Sequence, residues 1–131
     1  MKMALVFIVG LFVIVGCNTN GRNIDGFDIN GVWKDSNTVA FQNALLIISD
    51  NNGEINMSHY LEWKGQKFVE YGKGVRNGNS IVYDTKVTLP IKGWASKGTH
   101  NLKLSEDGLT LRGTYNDDLG KSGPIVFKRV R

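Results

Sequence analysis

The stretch EINMSHYLEWKGQKFVEYGKGVRNGNSIVYDTKVTLP, residues 54–90, decides the fold. In its first ten residues the side chains alternate. Ile55, Met57, His59, Leu61 and Trp63 share one face, and Glu54, Asn56, Ser58, Tyr60 and Glu62 share the other. A period of two marks a strand with one face buried. Lys64-Gly65-Gln66 turns the chain into a second strand, residues 67–76, with Val69, Tyr71 and Val75 expected on one face and Tyr71 pointing inward. Asn77-Gly78 is the strongest hairpin signal, because both residue types tolerate positive φ. Ile81, Tyr83, Thr85, Val87 and Leu89 then alternate with Val82, Asp84, Lys86 and Thr88. Pro90 ends that strand, having no N–H to give to a ladder.

The same pattern continues in both directions. Upstream, Gly31–Asp35 and Ala44–Ser49 read as strands, the latter with Leu45, Leu46, Ile47 and Ile48 unbroken, before the turn Asp50-Asn51-Asn52-Gly53. Downstream, residues 91–99 (IKGWASKGT) form a looser connection, and strands follow at 101–105, 109–115 and 124–130. Glu106-Asp107-Gly108 and the polar stretch 116–123 (NDDLGKSG) separate them. About eight short strands with no amphipathic helical stretch predict an all-β fold, a barrel or a sandwich. A sequential meander favours an antiparallel up-and-down barrel over residues 31–131, because closure removes exposed edges. A two-sheet β-sandwich is the alternative. Gly72, Gly74 and Gly113 inside strands suit sharp bends in a small barrel. Eight strands leave room for packed side chains or for one small ligand.

The 131 residues are 41% hydrophobic and 21% charged, which fits a folded globular protein and excludes disorder, collagen and coiled coil. One cysteine excludes a disulfide framework within the chain. With only two histidines, no metal site and no cofactor are expected. The net charge of +4 comes without a dense basic patch interleaved with aromatics, so no nucleic-acid partner is expected. From Gly120 onward Lys121, Lys128, Arg129 and Arg131 stand without a side-chain acid, as a solvated last strand or an attraction for anionic surfaces.

Residues 1–17 read MKMALVFIVGLFVIVGC. The uncharged run 4–16 would span about 20 Å as a helix, short of the roughly 30 Å hydrocarbon core. It therefore reads as a signal-peptide helix after the basic Lys2. Ile14-Val15-Gly16-Cys17 resembles the lipobox of bacterial lipoproteins, with Val15 where Ala or Ser is commoner. The resemblance implies cleavage between Gly16 and Cys17, lipid on the Cys17 thiol, and a membrane anchor of acyl chains, of which two or three hold far better than one. Asn18, where an Asp would favour the inner membrane, points to the outer membrane, facing the periplasm or the cell surface. The expected organisation is a signal peptide (1–16), a lipidated cysteine with a tether (17–30) and the barrel. Phe27 and Ile29 are expected to dock on the barrel and close its end.

Gly31-Val32-Trp33 at the first strand, with Arg129 in the last, resembles the lipocalin-like (calycin) pattern. The resemblance implies that Arg129 packs across Trp33 and closes one end of the barrel; it carries no ligand site with it.

His59, between Met57 and Leu61 on an apolar face, is either a neutral core histidine or a polar anchor in a ligand cavity. Glu70 on the next strand would pair with it if turned inward. His100, at a strand start, is expected to be exposed. Asp50, Asn51, Asn52 and Glu54 lack EF-hand spacing, and Asp117-Asp118 reads as a solvated turn. Ser58, Ser80 and Ser122 lack a nucleophile-elbow context, so no enzyme is expected. Trp33, Met57, His59, Trp63, Tyr71 and Tyr83 are the expected cavity lining, and Trp94 is a candidate lid or contact surface. The expected function is a non-enzymatic lipoprotein of the cell envelope that binds a small apolar or amphipathic ligand. The alternative is an interaction module, an inhibitor or envelope-protection factor, meeting an envelope or incoming protein through its barrel-end loops.

Overall fold

Two hairpins set the inside and outside of the molecule. In the computed structural model, which describes residues 26–36 and 43–131, Asn52-Gly53 and Lys64-Gly65 both have positive φ, at 52° and 89° and at 49° and 75°. Each forms a two-residue loop, closed by the pairs Asn51 with Glu54 and Trp63 with Gln66. Positive φ at both central residues is the type I′ geometry, whose twist matches that of the flanking strands. The next hairpin lies one residue later than Asn77-Gly78 suggests. Asn77 still pairs with Ser80, and the loop is Gly78-Asn79 with positive φ at Gly78. Glycine in the first central position suits a type II′ turn, so Asn77 is not needed there.

The strands are β1 (Gly31–Asp35), β2 (Leu45–Asn51), β3 (Glu54–Trp63), β4 (Gln66–Asn77), β5 (Ser80–Val87), β6 (Lys97–Leu104), β7 (Thr110–Asp117) and β8 (Ser122–Arg129). They form a closed, antiparallel barrel in sequence order, with β1 paired to both β2 and β8. The barrel, not the sandwich, is the architecture, and the described residues contain no helix. The leader, Cys17 and most of the tether lie outside the described residues.

Two-residue loops pair odd residues of β3 and β5 with even residues of β4. Because Ile55, Met57, His59, Ile81 and Tyr83 face inward, Phe68, Glu70, Gly72, Gly74 and Arg76 must face inward as well. Val69, Tyr71 and Val75 are therefore outside, and Tyr71 is 38% exposed. The inward placement of Tyr71 is thus corrected by hairpin parity. The inner glycines sit where neighbouring strands cross closely. A Cβ at Gly72 would lie 1.7 Å from the Asp84 carbonyl oxygen, and one at Gly113 would lie 1.8 Å from that of Asn101. Only a residue without a side chain allows so close an approach.

Most of the core fills one half of the barrel: Ile29, Trp33, Leu46, Ile48, Ile55, Ile81, Leu102, Leu104, Leu111 and Phe127 are all buried. Residues 27–30 cap this end. Ile29 is fully buried and its carbonyl accepts the Trp33 indole N–H at 3.0 Å, whereas Phe27 remains 52% exposed. The Arg129 guanidinium lies 5.2 Å from the Trp33 ring centre and donates to the carbonyls of Asp28 and Asn30. Arg76, pointing into the same end, donates to Asp50 Oδ2 at 2.9 Å and to the Phe27 carbonyl at 2.9 Å. The cap is therefore held by two arginines that satisfy carbonyls no strand pairs. A smaller cluster of Ala44, Leu61 and Phe68, flanked by Trp63, Val87, Ile91 and Trp94, lies apart from this core.

Candidate functional site

Between the two apolar clusters lies a band of polar side chains, put there by strand parity. Asp35 follows Trp33 by two on β1. His59 and Thr85 occupy inner positions of β3 and β5, and Glu70 stands directly opposite His59 on β4. β6 begins at Lys97, earlier than its leucines suggest, because residues 98 and 99 pair with Asp117 and Asn116. His100 is consequently not an exposed residue at a strand start. It is an inward residue, 6% exposed, opposite Tyr83.

His59 is the centre of the band, 2% exposed. Its Nδ1 lies 3.5 Å from Glu70 Oε2 and its Nε2 lies 3.7 Å from Asp35 Oδ2. Both contacts are longer than a hydrogen bond, and neither ring nitrogen has a hydrogen-bond partner. The Phe127 ring meets the imidazole edge-on at 5.3 Å. Burial works to raise the Glu70 carboxyl, but the His59 imidazole and the N–H donated by Trp94 outweigh it, and the group is held below the usual glutamate value. Burial pushes His100 down to about 4, against the pull of Glu70, so it is neutral at pH 7. Its Nδ1 lies 3.0 Å from the Tyr83 hydroxyl, whose own proton is held well above the usual value by burial.

A cavity of about 250 Å³ opens from this band toward the far end of the barrel. Asp35, His59 and Glu70 form its polar floor, and Trp63, Trp94 and Tyr115 contribute aromatic surface, with Lys97, Asp117 and Lys121 at the mouth. The 88–96 connection covers it. The Trp94 backbone N–H bonds the Ile91 carbonyl, which folds the loop back on itself, and the indole N–H donates to Glu70 Oε1 at 2.8 Å. Trp94 also packs edge-on against Trp63 and Phe68 at 5.2 and 5.1 Å. The loop is tied to the turn after β7, since Ser96 donates from both N and Oγ to Asp118, at 3.0 and 2.6 Å.

The larger hollow on the molecule, about 1000 Å³, is a groove on the outside of β3–β7. Several of its polar groups have partners: Thr99 Oγ1 donates to Asp84, and the Lys86 ammonium lies 5.0 Å from the Tyr71 ring centre. The inner cavity is the stronger candidate, because there a buried polar group is left without one.

Of the residues expected to line a cavity, His59 and Trp63 do so. Trp33, Met57 and Tyr83 belong to the packed core. Trp94 is half-buried in the mouth. Asp35 and His100 were not expected in the site. The odd-numbered inner positions of β1 mark Asp35, whereas His100 depends on a strand start hidden among Lys97, Gly98 and Thr99. Among the described residues no group of His, Cys, Asp and Glu could hold a metal ion.

No family model matches the chain, and neither does any curated protein or any solved structure.

Proposed function

We propose that the protein is a non-enzymatic lipoprotein of the cell envelope, anchored through acyl chains on Cys17, whose barrel binds a small amphipathic molecule in the cavity beneath Trp94. The lipobox-like Ile14-Val15-Gly16-Cys17 supports the anchor. The observation that carries the binding reading is a cavity of about 250 Å³ whose floor holds a buried imidazole with neither nitrogen hydrogen-bonded. An unsatisfied buried polar group costs about 1–3 kcal/mol, and an occupant that bonds it recovers that loss. Aromatic walls with a few convergent polar groups are the usual make-up of small-molecule sites. The 250 Å³ compares with about 30 Å³ for one water in the liquid, so the space suits a small organic molecule. The reading in which the barrel-end loops meet a protein has less support, since Trp94 turns its indole inward against Trp63 and Phe68.

Native mass spectrometry of the full chain, extracted from its own cells in mild detergent, tests both halves. The expected spectrum shows a diacylglyceryl adduct on a chain that begins at Cys17, with a further small mass lost on activation. An unmodified thiol behind an intact leader would remove the anchor. A barrel that captures nothing, from cells or from an added panel of small amphiphiles, would remove the ligand.

A further inference from the structure

We propose that the outer face of β8, β1 and β2 rests on an anionic lipid surface. This inference rests on the acyl anchor proposed above and adds how the barrel lies once anchored. The first ground is a group of apolar side chains that turns outward. Val32, Ile47 and Leu45 are 38%, 51% and 36% exposed, and Val130, just past β8, is 48% exposed. They are neighbours. Val32 is paired with Ile47, and the Val130 N–H bonds the Val32 carbonyl. Leu45 lies in the next row, opposite Lys34. Single exposed apolar side chains are ordinary, but a contiguous group beside charge marks a contact surface.

The second ground is charge. Lys34 stands directly opposite Lys128 across the seam between β1 and β8, and both are exposed. Like charges in that position repel. The acids of these three strands, Asp35 and Asp50, give no relief on the outside, because both point into the barrel with side chains 3% and 7% exposed. The face is therefore apolar and cationic at once. An anionic bilayer complements both properties, with headgroups for the lysines and the interface for the apolar side chains. A second copy of the same face would instead bring four lysines together without an acid. The third ground is the tether. Cys17 precedes Gly26 by nine residues, a reach of about 30 Å at most, and residues 26–30 lead directly into β1. So short a link holds a weak contact at high effective concentration. Two lysines and four apolar side chains then suffice where they would not bind a bilayer unaided.

Photo-crosslinking identifies what covers the face. Benzoylphenylalanine is placed at position 47 of the full chain, or, as a control, at position 101 on the exposed side of β6, four strands away. The chain, isolated from its own membranes, is reconstituted into vesicles of phosphatidylglycerol and phosphatidylcholine or of phosphatidylcholine alone. Mass analysis after illumination is expected to show a lipid adduct at position 47 in the anionic vesicles and only background at position 101. Neutral vesicles, or Lys34→Glu with Lys128→Glu, should cut that adduct about tenfold or more, since each lysine beside an anionic surface is worth about fivefold. Should position 47 not accept the probe, position 130 takes it. The inference is overturned if position 47 gives no lipid adduct, gives no more than position 101, or crosslinks to a second copy of the chain or to another protein. A lipid adduct indifferent to both changes of charge also overturns it. The same spectra report the N-terminus. A bare Cys17 thiol refutes the anchor on its own account, and the adduct at position 47 in that sample then decides the face alone.

Discussion

His100 ties the stability of the barrel to pH. In the folded chain burial lowers its pKa from 6.5 to about 4. Between those values the unfolded chain binds a proton that the folded chain refuses. Stability therefore rises with pH through this window and falls as the solution is acidified. A gap of that size corresponds to about 3 kcal/mol when traversed completely, and to about 2 kcal/mol on going from pH 8 to pH 5. That is a large share of the 5–15 kcal/mol by which domains are stable. The carboxylates lie lower. Glu70, Asp28, Asp107 and Asp118 are held below their ordinary values, so what they contribute is present above those values and is lost only as pH falls further. Chemical denaturation at pH 8 and pH 5 should therefore show the wild type losing about 2 kcal/mol. His100→Gln, which can still accept from the Tyr83 hydroxyl, should lose much less. Parallel losses in both proteins would refute the reasoning. If the variant is unstable, NMR of the wild type decides the matter, because the His100 ring must remain neutral at pH 5.

Gly72→Ala should destabilise the barrel by at least about 3 kcal/mol in a urea melt, because the new methyl would land 1.7 Å from the Asp84 carbonyl oxygen. Gly120→Ala, with open space and only a φ of 75° against it, should cost about 1–2 kcal/mol. Arg76→Ala leaves Asp50 buried without its ion pair and should cost about 3–5 kcal/mol, with Asp50→Asn on top of it restoring part of the loss. Trp94→Phe keeps the ring contacts but removes the N–H held by Glu70, and should speed hydrogen exchange in the 88–96 loop while leaving the barrel melt nearly unchanged. Cys17→Ser should abolish labelling by a radioactive fatty acid and move the chain from the membrane pellet to the soluble fraction, if that thiol carries the lipid.

The barrel was legible because its signals are local. Alternation in β3 and β5 and the Asn-Gly and Lys-Gly turns each depend on a few adjacent residues. The inner glycines Gly72, Gly74 and Gly113 stood out for the same reason, and the structure shows close backbone approach at each. β4 misled because hydrophobicity and orientation disagree there. Val69, Tyr71 and Val75 look like an inner face, while Glu70, Arg76 and two glycines occupy it. Parity across the two flanking loops decides the matter and outranks the apolar pattern. His100 was misplaced because β6 opens with Lys97, Gly98 and Thr99, and only pairing with Asn116 and Asp117 makes them a strand. The position of Trp94 depends on a contact across 24 residues to Glu70, which no local pattern contains.

The residues that break the inner apolar pattern fall into two sets, and the difference between them separates structure from site. Arg76 and Asp50 form a complete pair at 2.9 Å, and with Arg129 they fasten residues 27–30 across one end. Every charge there meets a partner, so the set accounts for itself as a plug. In the other half His59 stands between Asp35 and Glu70, a buried imidazole whose nitrogens bond nothing. A fold under pressure for stability alone would replace such a set with hydrocarbon, as the first half has done with Leu46, Ile55 and Phe127. Retaining it beside a cavity, under a tryptophan whose N–H occupies one oxygen of the same Glu70, is the kind of local inconsistency that binding sites carry. A ligand that bonds Glu70 Oε1 must compete with that N–H, so occupancy of the floor and closure of the 88–96 loop draw on one carboxylate.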